Sequence, residues 1–362
     1  MFCTSNDRGQ NTLAAEDLTL AQLARFDDII DVRSPSEFRE DHIPGAVNFP
    51  VLNDEERARV GTIYKQTSAF DAKKIGAALV ARNIADHVEQ RFSDKPKNWR
   101  PLVYCWRGGS RSGAMTHILN RIGWRAQQLK GGYKAYRTMV LATLQTLPGR
   151  FRYRVICGPT GSGKSRLLAA LDELGAQVLD LEGLAAHRGS ILGNLPDAEQ
   201  PPQKLFESRL WEVLQKFDPA HPVYVEAESK KIGNIRAPDA LLEEMWQHGQ
   251  CVRVEMAQEQ RIALLKEEYV HFLENPEALC HKLDHLTGIH GKAVIQKWQA
   301  LSAGRAWDEL VGELLEKHYD PAYNKSTAKH YAQFSDALIL HPADITMEGF
   351  REAAKKAMLE QD

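Results

Sequence analysis

The sequence has few cysteines, no low-complexity tract and no long apolar run. Its five cysteines are Cys3, Cys105, Cys157, Cys251 and Cys280. They are odd in number and no pair has zinc-ligand spacing, so we expect free thiols in a reducing compartment. No apolar run approaches the roughly 20 residues of a membrane helix, so no membrane association is expected. The polar N-terminus lacks an apolar signal core, and these absences together predict a cytoplasmic protein.

Acidic residues are missing from one long window. The whole chain has 46 Lys and Arg against 48 Asp and Glu, a net charge of −2. Residues 95–171 contain fifteen Lys or Arg and no carboxylate, which leaves a balance of −17 on the remainder. A cationic face beside an acidic body attracts polyanions, so the window predicts a nucleic-acid or phosphate ligand. A solvated basic surface without a partner is the alternative.

Apolar strands alternate with amphipathic helices along most of the chain, which predicts α/β units with parallel sheets. We expect a flexible tail over residues 1–13, a first domain over 14–140, a linker over 141–150 and a second domain over 151–362. The strands predicted in the second domain are YRVICG, AQVLDLE, PVYVEAES, QCVRVEMA and DALILH. A mostly helical insertion is expected over about 258–330.

The segment VYCWRGGSRSG, residues 103–113, ends a predicted strand on a thiol. Loop N–H groups, a helix N-terminus and nearby arginines all favour thiolate over thiol. We therefore predict that Cys105 is the reactive cysteine, with Arg107 and Arg111 as catalytic cations. Glycines let the backbone approach a bound anion closely. The loop amides expected to line the anion site are those of Gly108, Gly109 and Ser110.

Three segments in order give this region a resemblance to the rhodanese domain: DVRSPSEF at 31–38, HIPGAVN at 42–48 and KGGYKAY at 130–136. The resemblance covers about 14–140. It implies a rhodanese-like parallel-sheet domain.

Rhodaneses carry a chalcogen atom on the loop cysteine, and the matching position here is Cys105. The resemblance also implies that Asp31 and Arg33 mainly brace the fold. The same spacing fits the cysteine phosphatase signature, so a phosphatase-like activity remains an alternative. The tyrosine before the thiol, where most such phosphatases have histidine, counts against it.

The second glycine-rich turn, GPTGSGKS at 158–165, follows an apolar strand and precedes a clean helix. Its G-x-x-x-x-G-K-S spacing in that context predicts a phosphate-binding loop of a P-loop NTPase-like domain. Backbone N–H groups would wrap a diphosphate, the lysine would span its oxygens, and the final serine would hold Mg²⁺. The diphosphate-binding residues predicted here are Gly158, Thr160, Gly161, Ser162, Gly163, Lys164 and Ser165.

Further ligands for this site are less defined by sequence. Asp180, Glu182, Glu226 and Glu228 all follow strands, and spacing does not rank them as metal carboxylates. We name Asp180 with Ser165 as the metal pair. Arg261 opens the helical insertion as lid arginines do in nucleoside kinases, and it is the expected second phosphate cation.

A rhodanese domain fused to a P-loop domain, with LDLEGLAAHRGSILGN at 179–194 and YDPAYNKS at 319–326, resembles the bacterial tRNA 2-selenouridine synthase family. The resemblance spans essentially the whole chain. It implies that the sulfur of 2-thiouridine at the tRNA wobble position is geranylated from geranyl diphosphate and then displaced by selenium from selenophosphate. Selenium would be carried on Cys105. No tightly bound cofactor is expected apart from Mg²⁺.

The implied partner is the tRNA anticodon loop, whose unpaired bases can be splayed out and stacked on aromatic side chains. An enzyme that supplies selenophosphate is a second candidate partner. The tRNA-binding residues predicted inside the basic window are Trp106, Arg121, Arg125, Lys134 and Arg137. Trp124 and Tyr133 are further aromatic candidates. A nucleotide-dependent sulfurtransferase or kinase and a non-catalytic nucleotide switch remain alternatives.

Overall fold

The chain forms two compact units. The computed structural model describes residues 12–14 and 18–359. Unit 1 runs to Leu144 and adds residues 201–215, and unit 2 consists of residues 145–200 and 216 onward. The segment 201–215 lies within the range predicted for the second domain, yet it packs with the first. Most of the predicted tail lies outside the described residues, but Thr12 and Leu13 belong to a strand.

Unit 1 contains a five-stranded sheet in which every neighbouring pair is parallel. Its strands are β1 (Thr12–Ala14), β2 (Asp28–Asp31), β3 (Ala46–Asn48), β4 (Pro101–Tyr104) and β5 (Gln127–Lys130), in the spatial order β1-β5-β4-β2-β3. All four residues of β4 are buried, as expected for the central strand of a sheet covered on both faces.

The helices of unit 1 cover this sheet. They are α1 (Leu20–Leu23), α2 (Pro35–Glu40), α3 (Asp54–Gln66), α4 (Ala69–Arg91), α5 (Ser110–Ile122) and α6 (Gly132–Leu144), with α9 (Gln203–Lys216) added from the later segment up to Gln215. Helices α3 and α4 are separated at Ser68, whose hydroxyl caps α4 by accepting from the Asp71 N–H. Helix α2 was not among the predicted elements. Its start is favoured by Pro35 at the first turn and by Glu37, whose carboxylate accepts from the Ser34 N–H.

Unit 2 contains a second five-stranded parallel sheet in the order β12-β11-β6-β8-β7. Its strands are β6 (Tyr153–Cys157), β7 (Gln177–Leu179), β8 (Val223–Glu226), β11 (Gln250–Val254) and β12 (Leu338–Leu340). Each of the five predicted strand segments contains one of them. An antiparallel hairpin of β9 (Lys231–Ile232) and β10 (Ile235–Arg236) was not predicted.

The helices of unit 2 are α7 (Lys164–Glu173), α8 (Leu181–Ala185), α10 (Asp239–Gln247), α11 (Gln258–Glu268), α12 (Val270–Glu274), α13 (Pro276–Asp284), α14 (Thr287–His290), α15 (Lys292–Ala303), α16 (Trp307–Leu314), α17 (Asp320–His330) and α18 (Met347–Leu359). The predicted linker holds a short 3₁₀ helix, Pro148–Arg150. A π-helical turn, Leu315–Tyr319, joins α16 to α17. Helices α11 to α17 form the predicted insertion, whose own apolar core includes Leu283, Trp298 and Leu310.

The topology determines where chemistry can occur. In open parallel sheets, ligands bind beyond the carboxyl ends of the strands. Cys105 directly follows the central strand β4, and the phosphate loop directly follows the central strand β6. Both predicted turns are therefore at a ligand-binding edge of their own sheet. No helix in the described part of the chain is long and apolar enough to cross a membrane.

Candidate functional site

The Cys105 loop connects β4 to α5 and is held by the segment that opens α6. The Tyr133 N–H donates to the Cys105 carbonyl at 2.8 Å. Gly108 has φ +62°, and a Cβ there would be 2.5 Å from the Leu129 carbonyl oxygen. A Cβ on Gly132 would be 2.2 Å from the Cys105 carbonyl oxygen. These two glycines are required because two backbone segments touch at this point.

Cys105 is 3% exposed, and its surroundings favour the thiolate. The Ser112 hydroxyl donates to Sγ at 3.1 Å. Burial opposes ionisation, but hydrogen bonds from the Ser112 hydroxyl and N–H, the charge of Arg111 and the Gly109 N–H outweigh it and lower the pKa of the thiol. The thiolate is the nucleophilic form of cysteine. The geometry therefore supports the sequence-based choice of Cys105 as the reactive thiol.

Gln128, at the second position of β5, orients the Ser112 hydroxyl. Its Nε2 donates to the Gly108 carbonyl at 2.7 Å, to the Gly109 carbonyl at 3.1 Å and to Ser112 Oγ at 2.8 Å. With Oγ accepting from Gln128, the hydroxyl hydrogen is left to donate to sulfur or, at 3.4 Å, to the Gly109 carbonyl. Sequence reasoning missed Gln128, because an amide in a strand has no distinguishing motif.

Arg111 lies close enough to influence the thiol, but its guanidinium is already paired. It donates to the Glu37 carboxylate at 3.0 Å, and Arg57 approaches the same carboxylate at 3.8 Å. Burial alone would raise the pKa of Glu37, but the charge and hydrogen bond of Arg111 lower it. Glu37 thus fixes the orientation of Arg111. Glu37 belongs to the DVRSPSEF segment that resembles rhodanese, but the sequence alone gives this residue no role.

An open groove of about 590 Å³ lies over the thiol. The loop contributes Cys105, Trp106, Arg107, Gly109, Ser110 and Arg111 to its lining. Helix α3 contributes Arg57, Tyr64 and Lys65, which sequence analysis did not single out. Trp106 is 36% exposed and Tyr64 is 58% exposed. The groove therefore combines cations with accessible aromatic rings, the combination that binds single-stranded nucleic acid.

The other predicted tRNA contacts differ in how exposed their side chains are. Arg121, Arg125 and Lys134 are exposed on unit 1 and do not line the groove. Arg137 stays a prediction, but its side chain is 13% exposed and pairs with Glu207, which lies far along the sequence. Tyr133 is 2% exposed and its hydroxyl donates to Asp41, so it cannot stack on a base.

Asp31 and Arg33 form a buried ion pair, as expected for residues that brace the fold. The Arg33 guanidinium donates to the Asp31 carboxylate at 2.6 Å and to the Asp41 carbonyl at 2.6 Å. It also lies 3.9 Å from the centre of the Tyr133 ring. These contacts join the end of β2 to the segments that support the Cys105 loop.

In unit 2 the phosphate loop has the expected strand–loop–helix context. Gly161 and Gly163 have φ +78° and +79°, and a Cβ on Gly163 would be 2.2 Å from the Phe350 ring. A Cβ on Gly158 would be 2.4 Å from Ser162 Oγ. The Lys164 ammonium lies over the loop and donates to the Gly158 carbonyl at 2.9 Å. Helix α7 begins at Lys164, so its N-terminal N–H groups face the loop.

Carboxylates gather beside this loop, but not in the predicted pairing. The Ser165 hydroxyl donates to Glu182 at 3.4 Å. Asp180, the predicted metal partner of Ser165, caps α8 by accepting from the Gly183 N–H at 2.7 Å. The reason is chemical: an aspartate directly before a helix is a favoured N-cap.

Glu182 and Glu228 form a closely interacting pair of carboxylates. Burial, and then the charge of Glu182, raise the pKa of Glu228 to about 8. Burial also raises the pKa of Glu182, against the opposing effect of Lys164. Glu226 is fully buried and accepts from the Glu182 N–H at 2.7 Å. No three His, Cys, Asp or Glu side chains among the described residues are arranged to hold a metal ion by themselves. A cation here would need ligand oxygens as well.

Arg261, the predicted second phosphate cation, is held by contacts within the fold. Its guanidinium donates to the Thr160 carbonyl at 2.7 and 3.0 Å and pairs with Asp320, so it braces the loop from outside. Arg188, from the HRGS segment, lines a polar pocket of about 300 Å³ with Lys164 and Glu182. It also donates to the Glu268 carbonyl at 2.7 Å, and sequence reasoning did not single it out.

Comparison with known proteins agrees with this arrangement. A family profile described as "Rhodanese-like domain" matches residues 15–139, and one described as "tRNA 2-selenouridine synthase AAA domain" matches residues 151–290. The tRNA 2-selenouridine synthase of Marinobacter nauticus is 33% identical over 328 residues, or 82% of this chain and 87% of that protein. That of Hydrogenovibrio crunogenus is 33% identical over 330 residues, or 83% and 89%. That of Nitrosomonas europaea is 36% identical over 262 residues, or 71% and 67%.

The rhodanese resemblance of the first domain and the family resemblance of the whole chain are thus confirmed, and the alternatives of an unrelated phosphatase or switch lose their support. The chain belongs to the tRNA 2-selenouridine synthase family.

Proposed function

We propose that this chain converts 2-thiouridine at the wobble position of tRNA to 2-selenouridine through an S-geranyl intermediate. The observation that carries the proposal is that one chain of this family contains both an activated thiol and a phosphate loop. The sulfur of Cys105 accepts a hydrogen bond from the Ser112 hydroxyl, and Lys164 lies over the loop that follows β6. Each group follows the central strand of its own parallel sheet.

The first step is geranyl transfer in unit 2. The sulfur on C2 of the base attacks C1 of geranyl diphosphate, the C1–O bond breaks, and its electron pair leaves on diphosphate. The N3 proton of the base passes to solvent. Lys164 and the loop N–H groups stabilise the negative charge that develops on the leaving group. Ser165 and Glu182 would hold Mg²⁺, which supplies further charge neutralisation when bound.

The second step is selenium transfer at Cys105. The Cys105 thiolate first attacks a small disulfide, which releases one small thiol and leaves a mixed disulfide. Hydrolysis of selenophosphate gives phosphate and selenide, and selenide displaces the second small thiol from Cys105, leaving a perselenide. The terminal selenium attacks C2 of the base, and geranylthiolate leaves with the C2–S electron pair. The small thiol then attacks Sγ, so the selenolate of the product leaves and the mixed disulfide is restored. The cycle is redox-neutral, because the thiol is regenerated.

The groove over Cys105 is the proposed site for the wobble base. Trp106 and Tyr64 would stack on the splayed base, and Arg107 and Lys65 would bind flanking phosphates. An unpaired base costs little to extrude, because no duplex has to open. Stacking on an aromatic ring contributes about 1–3 kcal/mol per base. The exposed cations Arg121, Arg125 and Lys134 are proposed as more distant contacts of the same tRNA.

The test is nucleoside mass spectrometry of thiolated tRNA incubated with enzyme, geranyl diphosphate, selenophosphate and a small thiol. Lys164→Ala should abolish the S-geranyl nucleoside. Cys105→Ser should let that nucleoside accumulate and should stop selenation. Cys280→Ser, which changes a partly exposed cysteine of the insertion, is the matched control and should behave as the unaltered chain. Selenation at the normal rate by the Cys105 variant would show that this residue is not the carrier.

A nucleotide hydrolysis assay on the same variants separates the main rival function. A nucleotide-dependent sulfurtransferase or kinase would hydrolyse ATP or GTP in a manner that requires Lys164. The proposed enzyme needs no phosphoryl transfer, since an allylic diphosphate ionises at carbon. Lys164-dependent nucleotide hydrolysis without any S-geranyl product would overturn the geranyl step and favour the rival.

A further inference from the structure

An apolar cavity lies inside the helical insertion, among α11, α12, α13 and α16. Its volume of about 60 Å³ gives room for roughly four to six water-sized groups. Its walls include Leu192, Leu265, Phe272, Leu279, Leu310 and Leu314. A cavity with such walls favours apolar guests over water.

This cavity adjoins the phosphate site. Thr160 of the phosphate loop and Tyr319 line both the apolar cavity and the polar pocket that contains Lys164. The loop backbone also touches the apolar wall, since a Cβ on Gly161 would be 2.9 Å from the Leu265 side chain. A diphosphate region and a hydrocarbon region thus meet at the loop. That arrangement suits an amphiphile with a charged head and a short apolar tail.

An irregular helical segment forms part of the same wall. The π-helical turn Leu315–Tyr319 interrupts the path from α16 to α17, and both of its end residues line the cavity. π turns weaken regular helical hydrogen bonding and are found frequently at functional sites. The irregularity lies where the cavity adjoins the polar pocket.

We propose that this cavity binds the hydrocarbon tail of the allylic diphosphate whose head occupies the phosphate loop. The inference rests on the proposed geranyl transfer for the identity of the ligand. The volume matches about one five-carbon isoprenoid unit, so the terminal unit of a ten-carbon tail fills it. Each buried methylene contributes about fourfold in affinity, so geranyl diphosphate binds more than tenfold tighter than inorganic pyrophosphate.

Calorimetric titration of the full chain with geranyl diphosphate, dimethylallyl diphosphate and inorganic pyrophosphate tests the cavity without requiring transfer. Val311→Phe places extra carbon into the space from a partly buried wall position on α16. We expect this variant to bind geranyl diphosphate at least tenfold more weakly and to bind pyrophosphate with unchanged affinity.

Leu279→Ala enlarges the same space and should increase the affinity for farnesyl diphosphate relative to the affinity for geranyl diphosphate. Leu283→Ala is its matched control, because that leucine is buried on the same helix but does not line the cavity. It should lose stability without changing the preference for chain length.

Failure of the inference differs from failure of the proposed function. If geranyl diphosphate binds no tighter than pyrophosphate, or if Val311→Phe weakens both ligands equally, the cavity does not hold the tail, whatever the transfer assay shows. If the tail contributes to binding and Val311→Phe removes that contribution, but no S-geranyl nucleoside forms, the cavity assignment stands and the transfer step fails.

Discussion

The hydrogen bond from Ser112 to Cys105 allows a quantitative prediction. Replacing Ser112 with Ala removes the 3.1 Å contact to Sγ but keeps the backbone N–H and Arg111. A hydrogen bond to a charged group contributes about 1.5–3 kcal/mol, which corresponds to about a 10- to 150-fold loss of thiolate at a pH below the pKa. Water entering the open groove would replace part of the interaction, so we expect a value near tenfold.

The direction follows from the sign of the shift. Because the loop lowers the pKa of Cys105, removing a donor to the thiolate moves that pKa upward. Alkylation of Cys105 by iodoacetamide, followed across pH by peptide mass spectrometry, should therefore reach its half-maximal rate at a higher pH. Thr116→Val is the matched control: it removes a buried hydroxyl from the same helix, and that hydroxyl has no hydrogen-bond partner among the described residues.

Gln128 provides a graded version of the same test. Gln128→Ala keeps the Ser112 hydroxyl but frees it to turn toward the Gly109 carbonyl. The loss of thiolate should therefore be smaller than in Ser112→Ala and in the same direction. If Ser112→Ala and Thr116→Val both titrate like the unaltered chain, the hydroxyl does not stabilise the thiolate and the reasoning is refuted.

Three further predictions concern backbone, surface and charge. Gly163→Ala should abolish diphosphate binding, because its Cβ would overlap the Phe350 ring. Gly175 is the control: it has a similar φ of +83°, but a Cβ there would meet open space. Gly175→Ala should therefore lower the free energy of unfolding, measured by thermal unfolding, by only about 1–2 kcal/mol. Arg137→Ala should lower the melting temperature of the protein but change its tRNA affinity in filter binding little, because the Arg137 charge is paired with Glu207 within unit 1. Mg²⁺ affinity measured by titration should rise as pH increases through about 8, where Glu228 becomes ionised, and Glu228→Gln should flatten that dependence.

The two turns were predictable because their chemistry is local. Each turn follows an apolar strand and has glycines beside its key residue, after Cys105 and before Lys164, and these features act within about ten residues of sequence. Strand alternation likewise predicted all five strands of the second sheet. Helix α2 was not predicted, although Pro35 and Glu37 are a standard helix opening.

The arginines show what sequence could not provide. Arg111, Arg137 and Arg261 were all chosen as anion ligands, and all three are paired with carboxylates. Their partners Glu37, Glu207 and Asp320 are 74, 70 and 59 residues away. A guanidinium has the same sequence signature whether it binds substrate or braces a loop, since only the fold brings its partner near. Arg111 alone also influences the reactive group, through the thiolate of Cys105.

Cations of the basic window over residues 95–171 are likewise paired with carboxylates that lie far away in the sequence. Its apparent excess of fifteen cations is partly neutralised by acidic residues from outside the window. Such pairs are Lys95–Asp28, Arg100–Asp27, Arg111–Glu37, Arg137–Glu207 and Arg166–Glu267. Charge that is already paired releases few counterions when a nucleic acid binds. Under the proposed function, the attraction for tRNA would therefore come from exposed cations such as Arg107 and Lys134, together with Lys65 from outside the window. An aromatic groove is needed beside them, because a small number of phosphate contacts cannot by itself select one base.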